Sequence, residues 1–215
     1  SEHNGRNIFT PHIHTYWFNS HYNQDRSVSY EKKLSRGSDV STSFYNEQEI
    51  YLTKNILKTI DKGYSKLLEK GQISEAPTVG VISLYGDQVR LLKREVGKLN
   101  FKALDFSKSK ISTVDEFQGK EEDIIIVNLV RNNKSGHAGE FTRKFERLNV
   151  ALSRARKMLI VVGSVPFFSN LKIDIENSDN PSIIKTRYLY KEIYDRIKGK
   201  INEPNGYFKE DESWN

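Results

Sequence analysis

Two short stretches concentrate the residues able to handle phosphate. The first, Arg147-Leu-Asn-Val-Ala-Leu-Ser-Arg-Ala-Arg156, reads as a helix. Leu148, Ala151, Leu152 and Ala155 recur at i, i+3, i+4 and i+7, an apolar stripe suited to lie against a sheet. Arg147 and Arg154, seven residues apart, share a second face, and Asn149, Ser153 and Arg156 a third. Guanidinium groups held on a rigid element suit the charge that develops on a transferring phosphoryl group, because their planar donors match its oxygens. An ordinary basic surface helix has the same composition. The charge distribution favours phosphate: residues 131–157 carry eight Lys/Arg against two Glu, a net +6 equal to that of the whole chain.

The second stretch, Ile111-Ser-Thr-Val-Asp-Glu-Phe-Gln-Gly-Lys-Glu-Glu-Asp123, leads directly into the apolar run 124–130. A strand, a sharp polar turn at Gln118-Gly119 and a second strand would gather hydroxyls, amides and carboxylates at a sheet edge. Gly119 would let a ligand or backbone approach closely. A bland hairpin loop has the same composition. Asp115-Glu116 resembles an acidic magnesium-holding pair, but the preceding Lys-Ile-Ser-Thr-Val is not the run of four apolar residues such a strand shows. Gly97-Lys98, Gly119-Lys120 and Gly199-Lys200 all lack a glycine five positions upstream and a following Ser or Thr. No phosphate-binding loop is therefore present, and the chain is not expected to hydrolyse ATP alone.

Other groups are weaker candidates. His3, His12, His14 and His21 lack the i, i+4 helical spacing and an accompanying carboxylate cluster, so no metal site is expected. Tyr188, Tyr190 and Tyr194 could stack on bases but read as packing residues. Trp17 reads as core and Trp214 as tail.

The elements that must position these residues alternate in type. Ile13 to Phe18 reads as a first strand, and residues 21–43 as a long polar loop. Asn46 with Glu49 three residues on resembles a capping box, opening a long amphipathic helix that runs to Gly71. Strand 79–84, helix 88–99, strand 110–114, strand 124–130, helix 145–156, strand 158–163 and a helix over 181–198 follow. Several strands are uniformly apolar, which suits a parallel sheet buried on both faces. The segmentation expected is a lead-in and loop region packed on the domain over 1–40, a main domain over 41–200 and a flexible tail over 201–215.

Composition sets the outer limits. The chain has 215 residues, 36% hydrophobic and 29% charged, with a net charge of +6 and a pI near 9.3, a mild bias toward polyanions. The absence of cysteine excludes a disulfide scaffold and a Cys-ligated metal. No apolar run spans a membrane and no signal-like segment opens the chain, so a cytoplasmic protein is expected.

Together the two stretches resemble superfamily 1 helicases. Thr113 to Asp123 is similar to motif V of that group, Arg147 to Arg156 to motif VI, and Ser83-Leu-Tyr-Gly-Asp-Gln88 to motif IV. The wording resembles the 5′→3′ branch that contains the nonsense-mediated-decay helicase. Asn46 to Glu49 after Phe44-Tyr45 resembles the family's entry to the helix before motif IV, and the likeness covers roughly 40–165.

The resemblance implies a three-layer α/β/α fold of RecA-like, P-loop NTPase type, serving as the second motor domain of an ATP-dependent DNA or RNA helicase. ATP and Mg2+ would be bound mainly by a first RecA-like domain of the same polypeptide. Arg154 would be the arginine finger, and Gln88, Gly119 and Glu121 would join it at the nucleotide. Ser83, Tyr85, Thr113, Gln118 and Arg131 would serve the single strand. The domain would be monomeric and inactive as an ATPase on its own. The alternatives are a non-catalytic module that only binds nucleic acid or protein, and a metal-dependent nuclease using Asp115, Glu116 and Glu121. Residues 1–40 and the loop 131–145 match nothing in the family pattern.

Overall fold

The computed structural model describes residue 9 and residues 13–36, 39–107, 110–139, 142, 145–176, 184–199 and 207–209. The uniformly apolar runs form parallel strands. They are β1 (Thr15–Asn19), β4 (Val79–Ser83), β5 (Ile111–Thr113), β6 (Glu122–Asn128) and β7 (Ala155–Gly163). With β10 (Tyr207–Lys209) they make a six-stranded sheet in the order β10-β1-β7-β6-β4-β5, parallel throughout. β4 and β6 are buried at every position, as a sheet covered on both faces requires.

The period-two alternation of the strands divides the interior into two cores. Tyr16, Phe18, Ile124, Ile126, Ile160 and Val162 face one side. There they meet Ile56, Leu57 and Ile60 of α1 (Glu47–Glu69) and Val89 and Leu92 of α2 (Gly86–Val96). Trp17, Ile125, Val127 and Val161 face the other side. They meet Leu148 and Ala151 of α3 (Phe145–Leu152), Phe168 of α4 (Val165–Ser169), and Tyr190, Tyr194 and Ile197 of α5 (Leu189–Gly199). This is the three-layer α/β/α arrangement. α1 ends where Gly71 takes φ 64, a left-handed conformation that glycine adopts without strain.

Three elements differ from the sequence expectation. α3 stops at Leu152 rather than Arg156, because Ala155 pairs with Glu122 and opens β7. Residues 153–154 are a turn, so Arg147 and Arg154 do not share a helix face. The expected helix 181–198 begins only at Leu189. Ile184–Arg187, with Ile and Thr in alternation, instead forms β9, antiparallel to β8 (Ile173–Glu176). Residues 181–183 lie outside the described residues. Residues 207–209, within the expected tail, form β10 on the outer edge of β1, where a parallel strand satisfies exposed backbone groups.

The polar stretch 21–43 is partly ordered by pairing. Tyr22 bridges Val28, Lys32 bridges Tyr45, and β2 (Ser35–Arg36) pairs with β3 (Asp39–Val40). Trp17 is core, and its Nε1 donates to Gly163 O at 3.0 Å. Tyr190 and Tyr194 are also core, whereas Tyr188 is exposed. Trp214, His3 and His12 lie outside the described residues. No helix among the described residues is long and apolar enough to cross a membrane.

Candidate nucleotide and nucleic-acid interface

Because the strands are parallel, their starts share one edge of the sheet and their ends the other. The start edge carries most of the residues assigned to the nucleotide. The Glu122 N–H donates to Arg154 O at 3.2 Å, and Glu122 is in register with Ala155. Glu121 and Arg154 are therefore brought together, one residue ahead of this pairing on adjacent strands. Gly119 lies in the turn just before, at φ 81, so a side chain there would be strained. Gln118, Gly119, Lys120 and Glu121 are all exposed.

What fixes that turn is its apolar underside. Val114 and Phe117 are buried, and Phe117 lies over Gly80 of β4. A Cβ at Gly80 would sit 2.7 Å from Phe117 Cζ and 2.9 Å from Ile125 Cδ1. The first acidic residue of the turn, Asp115, pairs with Arg147 at 3.1 Å, and Glu116 accepts the Thr113 N–H at 3.1 Å. Among the described residues, no three metal-binding side chains come together.

Arg154 differs electrostatically from its neighbours. Arg147 pairs with Asp115, Arg156 with Asp123 at 3.1 Å, and Arg131 with Glu31 at 3.1 Å. Arg154 forms no ion pair among the described residues. Its Nε donates to Val150 O at 3.0 Å and its terminal nitrogen to Ser153 Oγ at 3.1 Å, both neutral acceptors at the C-terminus of α3. Among the described residues its charge is thus balanced by no ion pair, while its backbone adjoins that of Glu121 and Glu122.

The sequence reading missed the support behind this edge. Burial raises the Asp123 pKa, but the Thr78 N–H, Lys157 and Arg156 outweigh it and hold the carboxyl below its ordinary value. Asp123 accepts the Thr78 N–H at 3.2 Å and the Thr78 hydroxyl accepts the Asp123 N–H at 3.0 Å, closing a reciprocal clasp. An acidic residue at the mouth of an apolar strand was the available signal.

The end edge carries Ser83, Tyr85, Gln88, Thr113 and Arg131. β4 and β6 are neighbours, yet the chain leaves them in opposite directions across the sheet. A crevice opens at such a point in doubly wound folds. Here it is filled by polar side chains. Gln88 is fully buried, its Oε1 accepting the Asn46 N–H at 2.9 Å and its Nε2 donating to Asn128 Oδ1 at 3.0 Å. It therefore lies on the edge opposite Arg154 and is enclosed. Asn46 Oδ1 accepts the Glu49 N–H at 3.1 Å and caps α1, but Gln88 takes the place in the capping box expected of Glu49.

Glu49 turns inward instead. Its Oε1 accepts the Val130 N–H at 2.9 Å and the Ser20 hydroxyl at 3.2 Å, and Oε2 is buried with no hydrogen-bond partner among the described residues. Burial pushes its pKa up to about 8 despite those two donors. Val130 sits at φ 73, a strained conformation for a β-branched residue that the contact to Glu49 helps hold.

Of the proposed strand-binding residues, Thr113 and Gln118 reach the surface, whereas Ser83, Tyr85 and Arg131 are buried. Ser83 Oγ donates to Asn128 O at 3.3 Å, and Ser83 O accepts the Val114 N–H at 3.2 Å. Arg131 lies over the Phe44 ring, 4.2 Å from its centroid, and donates to Ala138 O at 2.7 Å, His137 O at 2.6 Å and the Tyr85 hydroxyl at 3.2 Å. These three residues brace the surface from beneath. Two of the four histidines are described: His14 Nδ1 contacts Lys157 O at 2.9 Å and His21 Nδ1 contacts Ser164 Oγ at 2.8 Å.

Comparison with known proteins agrees with this architecture. A family model described as an AAA domain matches residues 3–166. The chain is 36% identical to the DNA replication ATP-dependent helicase/nuclease dna2 of Schizosaccharomyces pombe, over 68% of the chain and 10% of that protein. It is 41% identical to the DNA polymerase alpha-associated DNA helicase A of Saccharomyces cerevisiae, over 57% of the chain and 16% of that protein. It is 37% identical to human DNA2, over 41% of the chain and 8% of that protein. The chain thus spans a sixth or less of the length of these relatives. It belongs to this AAA domain family, as a RecA-like second domain of the superfamily 1 helicase type.

Proposed function

We propose that the chain works as the second motor domain of an ATP-dependent DNA helicase or translocase. The observation that carries this reading is Arg154: a guanidinium with no ion pair among the described residues, held by two neutral acceptors, on a backbone that pairs next to Glu121. In this role the start edge, with Arg154, Glu121 and the Gly119 turn, faces a nucleotide held mainly by a first motor domain. Bound ATP with Mg2+ supplies the transferable phosphoryl group.

Arg154 exchanges its bonds to Val150 O and Ser153 Oγ for phosphoryl oxygens, where charge builds in the transition state. Glu121 offers a carboxylate to ribose hydroxyls. Thr113 and Gln118 meet the phosphates of the single strand. One turn, 114–121, runs from Thr113 on the end edge to Glu121 on the start edge, so movement at the strand is passed to the nucleotide. Gln88 acts from inside, fixing the start of α2 against Asn46 and Asn128.

The test is an ATPase assay on the protein carrying both motor domains. Single-stranded DNA stimulates turnover, and Thr113→Ala lowers that stimulation while leaving unstimulated turnover near wild type. Stimulation untouched by Thr113→Ala removes this residue from the strand path, and a protein with no DNA-dependent ATPase removes the motor reading altogether.

A further inference from the structure

Two polar segments expected from the sequence to lie outside the family pattern, 21–31 and 131–138, fall within the residues the family model matches and are joined in space. Glu31 holds them together: it accepts from Arg131 Nε at 3.1 Å, from the Asn132 N–H, and from Asn133 Nδ2 at 2.7 Å. Asn132 Nδ2 returns to Ser29 O at 2.7 Å. The Glu31 and Arg131 side chains are only 6% and 7% exposed, so the joint is anchored in the protein and not laid loosely upon it.

The first segment is a small antiparallel hairpin. Tyr22 bridges Val28, with the Ser29 N–H donating to His21 O and the Asn23 N–H to Ser27 O, both at 2.8 Å. His21 and Ser29 contact Ser164 and Asn46, while the Tyr22 ring packs edge-on against the His21 ring, centroids 4.6 Å apart, and Tyr30 follows Ser29 on the exposed side. Tyr30 lies two residues beyond Val28, the bridge partner of Tyr22, so the two rings belong to neighbouring positions of the hairpin. They are 45% and 36% exposed, and among the other described aromatic side chains Tyr188 alone, at 42%, is exposed to this degree. Lys134, from the second segment, extends its ammonium to 5.7 Å from the Tyr30 ring centroid.

We propose that this outcrop is a base-stacking site for single-stranded nucleic acid, with Tyr22 and Tyr30 receiving successive bases and Lys134 a backbone phosphate. Exposed rings on a hydrogen-bonded hairpin, beside a cation, are what an unpaired strand needs: every base has a face to stack, and every linkage carries one negative charge. The hairpin follows β1 and the loop follows β6. The outcrop therefore lies on the end edge, the edge that carries Thr113, and extends the strand path toward β1. The inference rests on the reading of that edge as the strand-binding side.

The experiment uses the protein with both motor domains and two fluorescein-labelled probes: dT15 and a fifteen-residue abasic strand with the same phosphates. Tyr22→Ala and Tyr30→Ala each weaken dT15 binding about tenfold. Both leave abasic binding unchanged, which also shows the variants are folded. Tyr30→Trp retains dT15 affinity. Undiminished dT15 binding in both alanine variants overturns the proposal, as does an equal loss on both probes, and either leaves the motor reading standing. A wild-type protein that binds neither probe overturns both.

Discussion

The Glu122 N–H lies 3.2 Å from the Arg154 carbonyl, and this backbone contact joins the two motif-bearing segments at the starts of adjacent strands. Neither segment alone is distinctive, since one is a polar turn and the other a basic helix end. Their pairing brings the backbone of Arg154, whose guanidinium has no ion pair among the described residues, next to Glu121 on one sheet edge, and that edge is the centre of the proposed mechanism.

The Gly119 turn depends on Gly80, a glycine of the neighbouring strand β4. Gly80→Ala places a methyl 2.7 Å from Phe117 Cζ, so the ring must move or the turn must lift. Overpacking of this kind costs about 1–3 kcal/mol. Urea unfolding should show that loss, and Phe117→Leu in the same molecule should recover part of it. Additive losses in the double variant would show that the two residues do not share one space.

Glu49 gives stability a distinctive dependence on pH. Its folded pKa is raised from 4.5 to about 8, so between these values the folded form holds a proton that the unfolded form has released. Its contribution is fully present below about pH 4.5, falls as pH rises, and levels off above about pH 8, a span on the order of a few kcal/mol. Glu49→Gln keeps the acceptor for Val130 and cannot ionise. The variant should therefore be more stable than wild type at pH 8.5, with the advantage shrinking toward pH 5. Parallel stability curves for the two proteins over that range would refute the assignment.

The joint between the segments 21–31 and 131–138 rests on one carboxylate. Glu31→Ala leaves the Arg131 guanidinium buried without its ionic partner, which costs about 3–5 kcal/mol. Thermal unfolding should register the loss, and protease should cut within 131–138 faster than in wild type. An unchanged melting temperature would mean that Tyr85, Ala138 and His137 suffice to hold Arg131.

The layered fold was legible because burial leaves a direct trace: runs such as Val79–Ser83 and Ile124–Asn128 are apolar at nearly every position. The nucleotide edge was legible only through family likeness. The apolar stripe through Leu148, Ala151, Leu152 and Ala155 continues past the true helix end, and only the pairing of Ala155 with Glu122, a long-range event, ends α3 at Leu152. The resemblance implies ligand contacts for Gln88, Ser83, Tyr85 and Arg131, yet they serve one another and the backbone inside the end edge. Which polar residues meet there depends on strand order, and strand order has no local signature. The turn of Glu49 away from its expected cap is a consequence of the same kind.

Arg154→Ala, in the protein carrying both motor domains, tests the central claim most directly. Single-turnover ATP hydrolysis in the presence of a saturating single strand should fall by about a thousandfold or more. Strand binding without nucleotide should match wild type, since Arg154 sits on the opposite edge from Thr113. Hydrolysis at the wild-type rate would contradict the account and leave the Arg154 guanidinium without a catalytic role.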